Sequence, residues 1–265
     1  MWIDSHAHMG AINEEQRKGV LERAYLAGVK RIINICTDEK DLEVGLALKK
    51  EEEKNPEAHR AQIFNAASTT PHNVLEQTSS AFEAFEKAAK NSELVALGET
   101  GLDYFYERSP IQAQKKEFLR YIELALETRL PLIIHCRDAF KDFFEIIKSE
   151  YSSSENKRGV LHCFTGNIKE AKRLVDIDWM ISLSGIATFK NAESLREVAR
   201  AIPLEHLVIE TDAPWLAPQS HRGKDNEPSF VVEVGQVIAD VKGISLEAFA
   251  QATTRNSEAL FGLFG

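Results

Sequence analysis

The amino-acid sequence predicts a (β/α)₈ TIM barrel, and three observations support that prediction. Short β-rich runs alternate with amphipathic segments, the runs number eight, and they recur at intervals of roughly thirty residues. A doubly wound sheet usually has fewer strands and a marked crossover. No linker, low-complexity tract or internal repeat interrupts the alternation, so we expect one domain over residues 1–265.

The β-rich runs and the helical segments follow each other in order. The runs occupy residues 2–4, 31–36, 62–67, 94–98, 132–136, 159–163, 179–183 and 207–211. Helical periodicity marks residues 14–27, 38–54, 79–90, 111–129, 138–150, 167–175 and 191–201. A loop rich in Pro and Gly at residues 213–228 and two or three closing helices complete the barrel. The polar residues 152–158 are expected in a surface loop on its N-terminal face.

Composition and charge narrow the class of protein. The 41 Asp and Glu outnumber the 32 Lys and Arg, and the net charge of −9 argues against a broad polyanion-binding surface but not against a single phosphate site. No apolar run is long enough to span a membrane, and the N-terminus resembles no signal peptide, so we expect a cytoplasmic protein without membrane association. The three cysteines are widely spaced, which fits a reducing compartment.

His6-Ala7-His8 closely follows the first run, and if the chain stays extended there, strand alternation points both imidazoles to one face. Alone the pair is a weak metal signal, because surface and core histidines are common. Further ionisable residues end later runs: Glu99, His135, His162, Glu210 and Asp212. Barrel enzymes keep their active sites at such C-terminal strand ends.

Each of these residues also has an ordinary structural interpretation. Glu99 fits a loop carboxylate, although the glycines around it favour close approach of a ligand. His135 and His162 fit core histidines bonded to backbone carbonyls. Cys136 and Cys163, one residue further on, are expected to turn toward the helices as packing residues. Taken together, the ionisable residues are sufficient to hold two cations bridged by a carboxylate.

The sequence resembles the TatD-type metal-dependent deoxyribonucleases, a branch of the amidohydrolase-like barrel superfamily. The matching blocks run nearly from end to end: Asp4-Ser5-His6-Ala7-His8, Gly98-Glu99-Thr100-Gly101-Leu102-Asp103-Tyr104, Ile134-His135-Cys136-Arg137-Asp138-Ala139, His162-Cys163-Phe164-Thr165-Gly166, Glu210-Thr211-Asp212-Ala213-Pro214-Trp215-Leu216 and Arg222-Gly223-Lys224, followed by Asn226-Glu227-Pro228. The resemblance implies the barrel fold and a DNA exonuclease that acts in repair and DNA fragmentation.

The resemblance also implies a ligand set for two divalent ions. The first ion would be held by His6, His8, Glu99 and Asp212, and the second by Glu99, His135 and His162. Asp212, with Glu210 behind it, would then take the proton of the water that attacks a terminal phosphodiester. The histidine-rich donors favour Zn, Mn, Co or Ni, while Mg remains open.

The expected substrate is DNA, and the acidic surface favours single-stranded or frayed ends over tight duplex binding. No obligate protein partner is evident. Candidate substrate-binding residues lie in the mouth loops: His72, Asn167, Trp215, Arg222 and Lys224. Asn167 fits an ordinary helix N-cap equally well, and Trp215 fits either base stacking or packing within its loop.

Two positions depart from the family pattern. Relatives commonly carry Gly-x-His-Pro-His after the third run, whereas residues 68–72 place Thr70 at the first of these histidines. Asp225 stands where relatives often have a basic residue. Both departures bear on substrate contact.

Two other functions remain open from the sequence. The same metal site in a barrel of this superfamily would also suit hydrolysis of a small ester, lactone or amide. A nucleic-acid-binding scaffold without turnover would be expected to lack metal ligands, and here the implied set is complete.

Overall fold

The computed structural model describes residues 1–55, 59–106, 108–151 and 158–264. Eight parallel strands pair in chain order: β1 Trp2–Ala7, β2 Val29–Cys36, β3 Gln62–Ala67, β4 Leu94–Asp103, β5 Leu132–Arg137, β6 Gly159–Leu161, β7 Met180–Leu183 and β8 Leu207–Ile209. This arrangement confirms the predicted barrel.

The helices of the described residues follow the strands in turn. They are α1 Glu14–Leu26, α2 Glu39–Lys54, α3 Ser79–Lys90, α4 Ile111–Thr128, α5 Phe140–Ile146, α6 Ile168–Asp176, α7 Glu193–Ala201, α8 Val231–Lys242 and α9 Leu246–Phe261. Among these residues, no helix combines the length and apolar character that crossing a bilayer requires. Residues 152–157 of the predicted polar loop lie outside the described residues, and Arg158 precedes β6.

The barrel closes between its first and last strands through loop backbone. Ala7 pairs in parallel with Ala213, beyond the last residue of β8. Asp212 N donates to His6 O (2.9 Å), and His8 N donates to Ala213 O (2.8 Å). These bonds set the end of β1 directly beside the loop that follows β8.

A buried carboxylate reinforces this closure. Asp4 accepts hydrogen bonds from Thr211 N (2.9 Å) and Thr211 Oγ1 (2.5 Å), and it is fully buried. Burial raises the pKa of Asp4 to about 8, against the lowering effect of the Thr211 and His6 hydrogen bonds. Asp4 therefore joins β1 to β8 just below the expected site.

The apolar core has two layers. A smaller cluster of strand residues fills the barrel interior: Ile3, Ile33, Ile35, Ala66, Ala96, Ile133, Val160 and Val208. Leu260 and Phe261 at the end of α9, and Leu263 just beyond it, pack against this cluster. The larger cluster lies between the sheet and the helices, as a barrel requires.

Strand β4 runs five residues further than the sequence predicts, because residues 100–103 pair with β5 after a shift in register between Leu97 and Thr100. Gly101 permits this pairing: its φ is +134°, and a Cβ there would lie 2.1 Å from His135 O. A side chain would force the two strands apart. Glu99 therefore lies inside a strand, with Asp103 as the last residue of the same strand.

Removal of the Phe143 ring should expose how much the outer core contributes to stability. Phe143 in α5 is fully buried, and its ring centroid lies 5.6 Å from that of Trp179. We expect Phe143→Ala to lower the free energy of unfolding by about 3–5 kcal/mol, measured by denaturant unfolding. Phe264→Ala removes a ring that is 78% exposed and is the matched control. It should change the free energy of unfolding by about 0.5 kcal/mol or less.

Candidate metal centre at the barrel mouth

Strand β1 and the loop after β8 bring three donor side chains together. His6 Nε2 and His8 Nε2 lie 3.1 Å apart. Asp212 Oδ1 lies 3.6 Å from His6 Nε2 and 3.4 Å from His8 Nε2. Asp212 adopts a φ of +61°, which turns the chain at this point. The backbone bonds of the closure explain why residues so distant in sequence meet here.

Glu99 lies at the centre of the cluster. Its Oε2 is 2.6 Å from His162 Nε2, 3.6 Å from His6 Nε2 and 3.9 Å from His135 Nδ1. His135 Nδ1 is in turn 3.3 Å from His162 Nε2. One carboxylate therefore faces imidazoles from β1, from β5 and from the residue directly after β6.

These spacings fit ligands of a divalent cation. Tetrahedral ligands at about 2.0–2.1 Å from zinc lie roughly 3.3 Å from one another. The donor atoms of His6, His8 and Asp212 lie within 4.8 Å of one another, and so do those of His6, Glu99 and His162. The ring nitrogens that meet in the cluster are Nε2 atoms: those of His6 and His8 lie 3.1 Å apart, and that of His162 lies 2.6 Å from Glu99 Oε2. Imidazole nitrogens this close to each other and to a carboxylate suit a shared cation.

The charge state of the cluster is set by burial and by mutual contact. Burial would raise the pKa of Glu99, but its interactions with His162, His6 and His8 hold that pKa well below its usual value. Burial and the neighbouring His162 lower the pKa of His6. Against burial, Glu99 and Glu210 raise the pKa of His162, and Asp212 and Glu99 raise that of His8. Glu99 is thus an anion and His6 a neutral base, the states in which each binds a metal.

Glu210 lies behind the cluster instead of facing its open side. It is fully buried, its Oε1 accepts a hydrogen bond from Cys163 N (2.7 Å), and the same atom lies 3.4 Å from His162 Nδ1. Cys163 adopts a φ of +43° after β6 has ended, so strand alternation does not turn it toward the helices. Cys163 lines the mouth cavity instead of taking the packing role expected from the sequence. Cys136 also borders the cavity, but it packs in the larger apolar cluster as expected.

Asp103 is a site residue that the sequence did not single out. Its Oδ2 accepts a hydrogen bond from His135 Nε2 (2.8 Å) and lies 3.6 Å from His72 Nε2. Its Oδ1 accepts from Phe105 N (3.0 Å) and Tyr106 N (2.8 Å). The side chain is 1% exposed, so Asp103 holds the imidazole of His135 from behind. Strand parity with Glu99 is the signal in the sequence that leads to it.

The cluster lies at the base of a cavity of about 550 Å³. Its walls include His72, Trp215 and the family-departure residue Thr70. Five of the donor residues also line it: His8, Glu99, His135, His162 and Asp212. Three predicted substrate residues do not line this cavity: Asn167, Arg222 and Lys224. Asn167 caps α6 by accepting from Lys169 N (2.8 Å), and the guanidinium of Arg222 stacks 4.3 Å from the ring centroid of Phe189.

The loop after β8 is held at both ends. The buried side chain of Asn226 donates to Thr211 O (2.7 Å) and Trp215 O (2.6 Å). The next residue, Glu227, accepts three hydrogen bonds from Arg23 of α1, the shortest at 2.6 Å. These contacts fix the segment that carries both Asp212 and Trp215.

Comparison with known proteins gives consistent matches over nearly the whole chain. The family model described as TatD related DNase matches residues 3–262. An uncharacterized metal-dependent hydrolase of Bacillus subtilis, YabD, is 36% identical over 262 residues, which cover 98% of this chain and 99% of that protein. A 3'-5' ssDNA/RNA exonuclease TatD of Erwinia amylovora is 32% identical over 254 residues, with 94% and 95% covered. The crystal structure of YJJV, a TatD homolog from Escherichia coli K12, superposes with a TM-score of 0.88 at 26% identity and 98% coverage of both chains.

Cation binding should displace protons from this cluster. The raised pKa values of His8 and His162 favour imidazolium in the cation-free protein, and a metal takes the same nitrogen atoms. We expect the affinity for Zn²⁺ or Mn²⁺ to rise with pH until both imidazoles are neutral. Calorimetry in buffers of different ionisation enthalpy measures the protons released. Equal heats in all buffers would contradict this assignment of charge.

His206→Ala, at a histidine that does not line the cavity, is the control and should release as many protons as the wild type.

Proposed function

This chain belongs to the TatD-related DNase family of metal-dependent hydrolases, and we propose that it is a deoxyribonuclease acting on single-stranded or frayed DNA ends. The observation that carries the proposal is the convergence of imidazole and carboxylate donors on Glu99 at the barrel mouth. The relative named as a ssDNA/RNA exonuclease supports nucleic acid as the substrate class. We also infer one working domain and a cytoplasmic location, which three free cysteines support.

Two divalent ions fit the donor geometry. We assign the first to His6, His8 and Asp212 and the second to His135 and His162, with Glu99 shared by both. Such ions, when bound, acidify a water molecule and neutralise charge on a phosphodiester. The histidine-rich donors favour Zn, Mn, Co or Ni over Mg.

Three carboxylates of the protein have different roles in this proposal. Asp212 directs Oδ1 toward His6 and His8, and its Oδ2 accepts no hydrogen bond from the described residues. Asp212 is therefore suited to receive the proton of the attacking water from the cavity side. Glu210 is fully buried and acts through His162, whose ring it orients. Glu99 supplies the negative charge that holds both halves of the centre together.

Replacement of Glu99 tests the shared carboxylate. We expect Glu99→Ala to lower the hydrolysis of a single-stranded DNA oligonucleotide by at least about 100-fold and to reduce metal content, because both ion positions lose a ligand. Rates and metal content per chain are measured on the same preparation. Glu145→Ala removes an exposed carboxylate of α5 as the control and should change neither.

Undiminished hydrolysis by Glu99→Ala would rule out the shared carboxylate. Parallel assays on RNA and on a panel of small esters test the substrate class. Turnover confined to small esters would overturn the nuclease assignment and leave the metal centre intact.

Replacement of Asp103 separates its support of His135 from direct metal binding. We expect Asp103→Ala to lower the affinity for the ion held by Glu99, His135 and His162 by about 10–100-fold. The affinity for the other ion should not change. A metal titration measures both affinities. His72→Ala is the control, because His72, Asp103 and His135 also lie within ligand distance of one another. A loss of one bound ion in His72→Ala would instead assign a direct metal-binding role to this group.

A further inference from the structure

Apart from histidines, two basic side chains of the described residues line the mouth cavity, and both are arginines. They are Arg108, in the segment after β4, and Arg137, the last residue of β5. Arg137 follows His135 by two residues, so it shares the strand face that carries this imidazole toward the metal centre. The sequence had instead pointed to Arg222 and Lys224, which lie outside the cavity wall.

Aromatic rings hold the guanidinium of Arg137, and no anion among the described residues contacts it. Its Cζ lies 4.1 Å from the ring centroid of Phe105 and 5.2 Å from that of Tyr106. Within the described residues it makes no hydrogen bond or ion pair. By contrast, the guanidinium groups of Arg17 and Arg196 donate to backbone carbonyls. The rings stiffen the Arg137 side chain while its N–H donors remain available to a ligand.

The two rings beside Arg137 are exposed and held in place from below. Phe105 is 54% exposed and Tyr106 is 49% exposed. Their backbone N–H groups both donate to Asp103, the buried residue that also contacts His135. The aromatic wall and the metal centre therefore share one anchoring carboxylate.

A third exposed aromatic residue lies on the other side of the mouth. Trp215 is 51% exposed and packs edge-on to His8, with 4.8 Å between ring centroids. It follows β8, whereas Phe105 and Tyr106 follow β4. Strands four places apart in an eight-stranded barrel lie opposite each other, so the donor cluster falls between the two aromatic surfaces.

We propose that Arg137, stacked on Phe105 and Tyr106, binds the phosphate next to the scissile one, so that the preferred substrate is an oligonucleotide spanning the mouth. A guanidinium presents planar paired donors that match phosphate oxygens, and exposed aromatic rings accept stacked bases without sequence preference. Tyr106 and Trp215 contact the bases on either side of the metal centre. The proposal rests on the nuclease function proposed above, and it specifies which groups of the bound nucleic acid the protein contacts.

The test compares a substrate that carries a neighbouring phosphate with one that does not. Initial rates of the metal-loaded enzyme are measured on a labelled single-stranded oligonucleotide and on bis(p-nitrophenyl) phosphate. We expect Arg137→Ala to raise KM for the oligonucleotide by about 10–100-fold, with a smaller change in kcat. The factor by which KM rises for the oligonucleotide should exceed the factor for the small diester by at least about tenfold.

Matched variants separate contact from folding. Arg137→Lys keeps the charge without the planar fork, so its KM should fall between those of the wild type and Arg137→Ala. Arg173→Ala removes another ring-stacked guanidinium, 3.7 Å from the Phe144 centroid and away from the cavity, and should keep the wild-type KM. Thermal unfolding of each variant identifies any loss of fold.

The outcomes distinguish this proposal from the proposed function. An unchanged KM for the oligonucleotide in Arg137→Ala would overturn the phosphate contact and leave the nuclease function standing. Equal losses on both substrates would overturn it as well, because Arg137 would then act at the metal centre itself. Failure of the wild type to cleave any oligonucleotide, with the small diester still hydrolysed, would refute the nuclease function and with it the proposed contact.

Discussion

The closure of the barrel between β1 and β8 is the constraint on which the rest of the site depends. The β8 ladder ends at Ile209, so the last turn of the barrel is completed by loop backbone and by the buried carboxylate of Asp4. This closure sets the histidine pair of β1 against Asp212. A barrel that closed one residue out of register would turn these donors to the opposite face.

The other half of the centre depends on the length of β4. Because Gly101 lets β4 stay paired with β5, Glu99 lies deep between the imidazoles and Asp103 reaches the far side of His135. Two structural units therefore meet at Glu99, one closed by β1 and β8 and the other built on β4 to β6. Their charges are interdependent, since the ionised state of Glu99 rests on imidazoles from both units.

The repeat of strand and helix was readable from the sequence, because hydrophobic periodicity and helix ends are local properties. The strand-end donors were readable for the same reason, and Glu99 and the histidines do converge. The sequence does not single out Asp103, because Gly98 and Gly101 are typical of a loop, whereas in the structure these glycines let two strands lie close together. The sequence favours Arg222 over Arg137, because only the folded structure shows which cation packs against a remote ring and which one faces the cavity.

The anchoring of the loop after β8 has a further consequence for how the site handles water. Asn226 ties the loop at Thr211 and Trp215, and Arg23 holds its far end through Glu227. The segment is thus a fixed rim, unsuited to swing over the donors as a lid. On this side of the mouth, a bound molecule must itself exclude solvent, so selectivity there depends on how fully each candidate substrate covers the rim. Short fragments, which cover least, would leave quickly after cleavage.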